Sequence, residues 1–170
     1  KSSSILPKSL IVNIWRKIIT SSNMLEQPLR IAVYNPNKIA DYNYLVREYY
    51  SDSVPLITQD TVNNVILEIE KNNAQIAIFA LPNLDIKNDI SENWWIDLAH
   101  NKVGLKIFAK IPFITHEQST KPLDLVAMAI KKSEKSREDR SLFYVELASS
   151  ISKSQLLAEM NKSAINGKIL

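Results

Sequence analysis

The chain has 170 residues, of which 45% are hydrophobic and 23% are charged, and its net charge is +3. This composition is typical of a globular protein, and the length suits one domain with its own core. Because the chain has no cysteine and only two glycines, thiol nucleophiles, disulfides, thiolate metal sites and glycine-rich phosphate loops are excluded. No apolar run reaches the ~18 residues of a membrane span and no signal-peptide pattern is present, so we expect a cytoplasmic protein.

The positions of the histidines and the basic residues indicate whether the chain could bind a metal or a nucleic acid. His100 and His116 stand apart from each other and from any carboxylate cluster, so we predict neither a metal centre nor a cofactor. Basic residues are densest between positions 131 and 137, which is one sign of a nucleic-acid or phosphate patch. No aromatic residues are interleaved there for base stacking. We therefore interpret this segment as a solvated hairpin tip and expect no nucleic-acid or membrane partner.

The N-terminal residues 7–27 are predicted to form one long amphipathic helix. Pro7 suits its first turn, and Pro28 ends it by removing a hydrogen-bond donor and restricting the residue before it. A lobe that begins only after Pro28 is too short to cover the whole apolar side of this helix. We therefore expect the chain to form a homodimer through it. The apolar side is formed by residues at three- and four-residue steps, interrupted by Ser22: Ile11, Ile14, Trp15, Ile18 and Leu25.

After Pro28 the pattern alternates between strands and helices. The β-α-β-α-β order implies a mostly parallel sheet that is covered on both faces. Strands are predicted at 29–35, 54–58, 74–81 and 104–114, and helices at 41–50, 61–72 and 91–101.

The C-terminal part is predicted to close the lobe with a hairpin and a helix. The runs 123–131 and 142–147 resemble two strands joined by a charged connection. Residues 152–165 then suit a helix, with Ser152 as its cap and Gly167 just past its end. The predicted fold is therefore α/β: a long N-terminal amphipathic helix (1–27), then a single mostly parallel sheet lobe with flanking helices and a C-terminal hairpin plus helix (28–170).

The segment IWRKIITSSNMLEQPLRIAVYNP, residues 14–36, resembles the junction between a helical-type chorismate mutase domain and the domain that follows it in fused proteins. In that family the last helix carries a serine and, four residues on, a glutamine or glutamate that reach into the chorismate pocket. The matching positions are Ser22 and Glu26, which the resemblance makes candidate catalytic residues. They lie on one helix face. The alternative is that Ser22 bonds to a backbone carbonyl and Glu26 is solvated.

The cationic residues that this mutase family carries on its earlier helices have no counterpart in the chain. The dianionic substrate needs such groups to hold its two carboxylates. Ser22 and Glu26 could therefore act only together with helices upstream of Lys1, and we expect the 170 residues alone to be inactive.

Residues 29–83 resemble, more loosely, the first lobe of prephenate dehydratase, which is related to bacterial solute-binding proteins. ITQDTVNNVILEIEKNNAQIAIFALPN follows that family's rhythm of capped helix, alanine-rich strand and terminal Asn, here Asn83. The family's Thr-Arg-Phe motif is degraded to DRSLFYVEL, in which Arg140 matches. Only 26 positions separate Ile114 from Arg140, too few for a second lobe that would close a cleft. The resemblance thus implies a non-catalytic remnant of a dehydratase lobe.

Polar residues at the predicted strand ends are candidate ligand contacts, because open α/β sheets bind ligands beyond the carboxyl ends of their strands. Asn35, Thr58 and Asn83 could hold a small carboxylate together with the N-terminus of the helix near Thr61. The alternative is that they are cap and turn residues.

Two aromatic residues and one arginine complete the candidate ligand site. Trp94 and Trp95 are adjacent, so on a helix they point about 100° apart and only one can lie in the core. The other could cover a ligand ring or pack on the sheet edge. Arg140 could bind a carboxylate or pair with Asp97.

Three functions of different classes remain open. We favour part of a chorismate mutase protein (an isomerase of aromatic amino-acid biosynthesis) in which this region is a non-catalytic ligand-sensing or structural α/β domain. The alternatives are a divergent prephenate dehydratase and a stand-alone dimerising module that binds small molecules. The expected ligand is a small aromatic carboxylate: phenylalanine, prephenate or chorismate.

Overall fold

Helices and strands alternate along the computed structural model, which describes residues 6–38, 40–81, 93–100, 102–112, 124–130, 142–143, 145–163 and 165. The α/β class predicted from the sequence is confirmed, with a long N-terminal helix and a C-terminal helix. In chain order the described elements are α1 (Lys8–Glu26), β1 (Ile31–Tyr34), α2 (Ala40–Tyr49), β2 (Leu56–Gln59), α3 (Val62–Glu70), β3 (Ile76–Ala80), α4 (Trp94–His100), β4 (Lys106–Ile111), β5 (Leu125–Ala129) and α5 (Lys153–Lys162).

The strands form a five-stranded sheet in the order β2-β1-β3-β5-β4. β1 is the parallel partner of both β2 and β3, with Val33 opposite Thr58 on one side and Ile78 on the other. β5 lies antiparallel between β3 and β4, so the other four strands run in one direction. The mostly parallel sheet is therefore confirmed. Its antiparallel fourth position was not predicted.

Alternation of side chains along the strands builds two cores, one on each face of the sheet. Ile31 and Val33 pack with α2 on one face, whereas Ala32 and Tyr34 pack with α3 and α4 on the other. Strands buried on both faces need continuous apolar sequence, which is why β1 and β3 carry such runs. Each fully buried Val, Ile or Phe contributes roughly 1.5–3 kcal/mol.

The helix α1 lies against α2 with its polar side. Thr20 is only 6% exposed, and Met24 packs against the core that α2 covers. The opposite side carries the predicted apolar stripe, where Trp15 is 60% exposed and Leu25 is 90% exposed. The lobe therefore leaves most of this stripe uncovered, as predicted, and only Ile11 of its members is partly buried. Whether it pairs two copies of the chain is a separate prediction.

The helix ends follow local sequence signals. Pro7 is the N-cap of α1 rather than its first helical residue. Thr61 caps α3 by accepting a hydrogen bond from the backbone N–H of Asn64 at 3.2 Å. Ser152 and Gln155 form a capping box at the start of α5. Such caps use residues only three positions apart, so short-range sequence reveals them.

The predicted C-terminal hairpin is wrong. β5 pairs with β3 on one side and β4 on the other, so neither of its edges is free for a further strand. Of the run 142–147, the described residues 142, 143 and 145–147 are not in a strand. The charged connection at 131–140 lies outside the described residues.

No helix in the described ranges is both long and apolar enough to cross a bilayer.

Candidate functional site

The two predicted catalytic residues lie on the side of α1 that faces away from the lobe. Ser22 and Glu26 are both exposed and stand one helical turn apart. They continue the row that begins with Ile14 and Ile18. Thr20 is two positions before Ser22, hence about 200° around the helix axis, and it is buried against the lobe. The orientation of α1 thus brings Ser22 and Glu26 together on an outward surface.

The inward side of α1 contacts α2 and the loop that follows it. The guanidinium carbon of Arg16 lies 4.0 Å from the centroid of the Tyr49 ring. Burial raises the pKa of the Tyr49 hydroxyl, and the positive charge of Arg16, followed by the hydrogen bond that Arg16 donates to this hydroxyl, partly opposes the rise. Further along α1, the Sδ of Met24 accepts a hydrogen bond from the Ser53 hydroxyl at 3.9 Å. Arg16 was not predicted from the sequence, although Arg16, Thr20 and Met24 follow one another at four-residue steps.

Asn35 lies at the carboxyl end of β1, as predicted, and is buried. Its backbone N–H donates to the carbonyl of Gln59 at 2.8 Å, and its carbonyl accepts from the backbone N–H of Lys38 at 3.2 Å. Lys38 has a positive φ of 52°, so the chain turns sharply just beyond the strand. Asn35 therefore takes part in the turn at the sheet edge through its backbone groups.

Thr58 joins β2 to α2 at the same edge. Its exposed side-chain oxygen accepts a hydrogen bond from Nδ2 of Asn43 at 3.5 Å, a long and therefore weak bond. The Oδ1 atom of Asn43 is buried and has no hydrogen-bond partner among the described residues. This pair of neutral groups can donate to or accept from a small polar ligand. Asn43 was not predicted from the sequence, because its proximity to Thr58 depends on how α2 crosses the sheet.

The end of β2 is held to α3 by a second polar contact. Nε2 of Gln59 donates to Oε1 of Glu68 at 3.1 Å. Gln59 faces α3, whereas its neighbour Thr58 faces α2, as alternation along a strand requires. The two faces of the sheet therefore end in different polar groups.

The tryptophan pair divides as the helical geometry predicted. Trp94 is 2% exposed, its Nε1–H donates to the carbonyl of Ala80 at 2.7 Å, and its ring stacks on Phe79 with centroids 4.9 Å apart. Trp95 is partly buried and meets Trp94 edge-on at 5.8 Å. Trp94 belongs to the core on the α3 side of the sheet, and Trp95 packs against that core. The structure therefore does not bring this pair to the face of the sheet on which Thr58 meets Asn43.

An ion pair at the same end of the sheet was missed by sequence reasoning. Nζ of Lys110 lies 2.8 Å from Oδ2 of Asp124, and the carbonyl of Asp124 accepts from the backbone N–H of Leu81 at 2.7 Å. The contact joins β4 to the start of β5. Only the strand order places these residues side by side, so no local signal could have revealed it.

Asn83 and Arg140, the remaining predicted ligand contacts, lie outside the described residues, and so does the suggested pairing of Arg140 with Asp97. Within the described ranges, no group of three or more His, Cys, Asp or Glu side chains is arranged to hold a metal ion.

Comparisons of the chain with protein-family models, with curated proteins and with solved structures give no match. Function must therefore be inferred from the side chains themselves.

Proposed function

We propose that this chain is part of a chorismate mutase protein. In this proposal α1 supplies Ser22 and Glu26 to a helical catalytic domain, and the α/β lobe is a non-catalytic domain that senses a ligand or supports the structure. The observation that carries the proposal is the orientation of α1, which contacts the lobe with its polar side and turns Ser22 and Glu26 away from it.

The outward face of α1 is apolar, as is usual for a surface that packs against another element. A helix that belonged only to the lobe would be expected to turn its apolar side inward. Here Ile14, Trp15 and Ile18 are all exposed. Covering such side chains contributes roughly 1.5–3 kcal/mol each, so this face favours packing against further helices. Two polar residues set in an apolar face suit a helix that also borders a pocket.

The chemistry of the proposed reaction is compatible with these two residues. Conversion of chorismate to prephenate rearranges one molecule, so the protein has to hold the substrate in a reactive shape. The Ser22 hydroxyl can donate to a substrate oxygen, and a carboxyl group at Glu26 can donate when protonated or accept when ionised. Cationic groups for the two carboxylates have to come from other helices.

The lobe is proposed to bind a small aromatic carboxylate at the carboxyl edge of its sheet. Asn43 and Thr58 offer neutral hydrogen-bonding groups there, and the N-terminus of α3 favours negative charge near the same edge. A single lobe leaves part of the ligand in water, so the affinity is expected to be weak.

A second candidate function is a dimerising module that binds small molecules. The same outward face of α1 favours it, because a second copy could cover the face instead of upstream helices. The two candidates differ in turnover, which only the first predicts.

The proposal is tested by chorismate turnover in the gene product that contains these residues. Ser22→Ala is expected to lower kcat/KM about ten- to hundredfold, the effect of losing one hydrogen bond to a charged substrate. Ser21→Ala is the matched control, since Ser21 is an exposed serine on the neighbouring side of α1. Absence of turnover, or equal losses in both variants, would refute the proposal. The 170-residue chain alone is expected to turn over neither chorismate nor prephenate.

A further inference from the structure

The helix α1 has a polar face and an apolar face, and the polar face is the one that packs against the lobe. The inward side carries Arg16 and Thr20, whereas the outward side carries Ile14, Trp15 and Ile18. Hydrophobic burial alone would favour the opposite rotation. A specific contact is therefore needed to account for the observed orientation.

The inward contacts follow one row along α1 at four-residue steps. Arg16 lies over the Tyr49 ring, Thr20 is buried one turn later, and Met24 reaches the core after a further turn. Burial of Thr20 and Met24 is non-directional, since any apolar surface of similar shape would satisfy it. The hydrogen bond from Ser53 to the Met24 sulfur is long, at 3.9 Å, and therefore weak. The guanidinium contact is directional, because a cation is attracted to the face of an aromatic ring and not to its edge.

The ring that Arg16 contacts is itself fixed in place. Tyr49 is buried in the core between α2 and the sheet, and it meets Tyr50 edge-on with ring centroids 4.9 Å apart. Tyr50 therefore flanks this ring on one side, and the guanidinium of Arg16 covers one of its faces. How α1 presents Arg16 to that face depends on the rotation of the helix about its axis.

We propose that Arg16 is a positioning residue that sets the rotation of α1 about its own axis and so directs Ser22 and Glu26 away from the lobe. Because Thr20 and Ser22 are about 200° apart on the helix, a half-turn of α1 would exchange their environments. The effect on the helix is independent of any activity, whereas its consequence for turnover rests on the proposed function.

The absence of cysteine from the chain makes single thiols clean reporters of this rotation. Thr20→Cys and Ser22→Cys are made separately, and their modification by a disulfide reagent is followed at a concentration where sedimentation shows a monomer. With Arg16 present, the thiol at position 22 is expected to react at least tenfold faster than the thiol at position 20. Arg16→Met, which keeps an unbranched apolar stem without the charge, should reverse that ratio. Arg16→Lys, which keeps a cation, should preserve most of it.

Tyr49 provides an independent test of the same contact. Tyr49→Phe removes the hydroxyl that hydrogen-bonds to Arg16 but retains the ring face, so it should keep most of the ratio of thiol reactivities. Tyr49→Leu removes both contacts and should reverse the ratio. Circular dichroism establishes that each variant is folded before its rates are compared.

Two outcomes would overturn the proposal. Unchanged reactivities in Arg16→Met would show that burial of Thr20 and Met24 suffices to orient α1. Fast reaction of both thiols in the folded variant would show that Arg16 holds α1 on the lobe but does not set its rotation. A failure of the proposed function has a different signature, since chorismate turnover would then be absent while the thiol ratio still responded to Arg16.

Discussion

The guanidinium carbon of Arg16 lies 4.0 Å from the centre of the Tyr49 ring, and this contact links α1 to the lobe through α2. Arg16 stands on the side of α1 opposite the apolar stripe, so the contact and the stripe serve different partners. The lobe meets a polar and aromatic surface, while the apolar surface stays available to another element.

Trp94 is expected to be a structural residue. Trp94→Phe removes the donor to the Ala80 carbonyl and shrinks a ring that stacks on Phe79. The unfolding free energy should fall by about 2–4 kcal/mol, since a buried acceptor loses its partner and a cavity forms. Chemical denaturation measures this, with Trp95→Phe as the control. Equal effects of the two substitutions would contradict the division of roles within the pair.

Tyr50 is expected to make the folded state less stable at alkaline pH. Burial, followed by the neighbouring Tyr49, raises the pKa of the Tyr50 hydroxyl above the ordinary value of 10.0. The folded state thus resists losing a proton that the unfolded chain releases near pH 10. Stability is therefore fully present below pH 10 and is lost as the pH rises toward the folded-state pKa.

Tyr50→Phe should weaken this loss of stability above pH 10. At neutral pH it should be neutral or stabilising by about 1 kcal/mol, because the buried hydroxyl has no hydrogen-bond partner among the described residues. Tyr44→Phe is the control, since Tyr44 is exposed. Denaturation between pH 7 and pH 11 provides the comparison, and parallel pH profiles for wild type and Tyr50→Phe would contradict the prediction.

The outward face of α1 is predicted to drive self-association of the 170-residue chain. Ile18→Asp places a charge in the middle of the stripe and should shift the chain toward monomer in sedimentation experiments. Asn23→Asp introduces the same charge on an exposed position away from the stripe and should have little effect. A chain that is monomeric at high micromolar concentration, with or without Ile18→Asp, would refute the prediction.

Ligand binding at the carboxyl edge is predicted to require the Thr58 hydroxyl. Phenylalanine, tyrosine, prephenate and chorismate are tested by thermal shift at millimolar concentration. A ligand at ten times its Kd stabilises by about 1.4 kcal/mol, or about 3–5 °C for a domain of this size. Thr58→Val should abolish the shift, whereas Thr58→Ser, which retains the hydroxyl, should keep it. Absence of binding by all four ligands would leave the lobe with a structural role.

Local features of the fold were predictable from the sequence, and long-range ones were not. Thr61 and the apolar spacing after it identify α3, because the residues that form a helix cap and an apolar helix face all lie within one short segment. The run that became β5 was recognised as a strand, but its partners were misassigned. Strand-like sequence shows that a segment is extended and does not say which edges it joins.

In the candidate site, too, local relationships were predictable from the sequence and long-range contacts were not. Ser22 and Glu26 could be placed on one face of α1 from their spacing alone, since the helix fixes their relative direction. The proximity of Thr58 to Asn43 could not be predicted in this way, because α2 and β2 come together only when the helix packs on the sheet. The contact of Arg16 with Tyr49 depends on that packing as well.

The orientation of α1 is tested most directly by placing one cysteine at a time at positions 17 to 24 and measuring thiol reactivity in the dilute, monomeric chain. The structure predicts a helical period of about 3.6 residues, with the fastest reaction near Ser22 and the slowest at Thr20 and Met24. A flat profile would mean that α1 does not pack on the lobe. A profile with its maximum at Thr20 would mean that the apolar face packs inward, which would contradict the account.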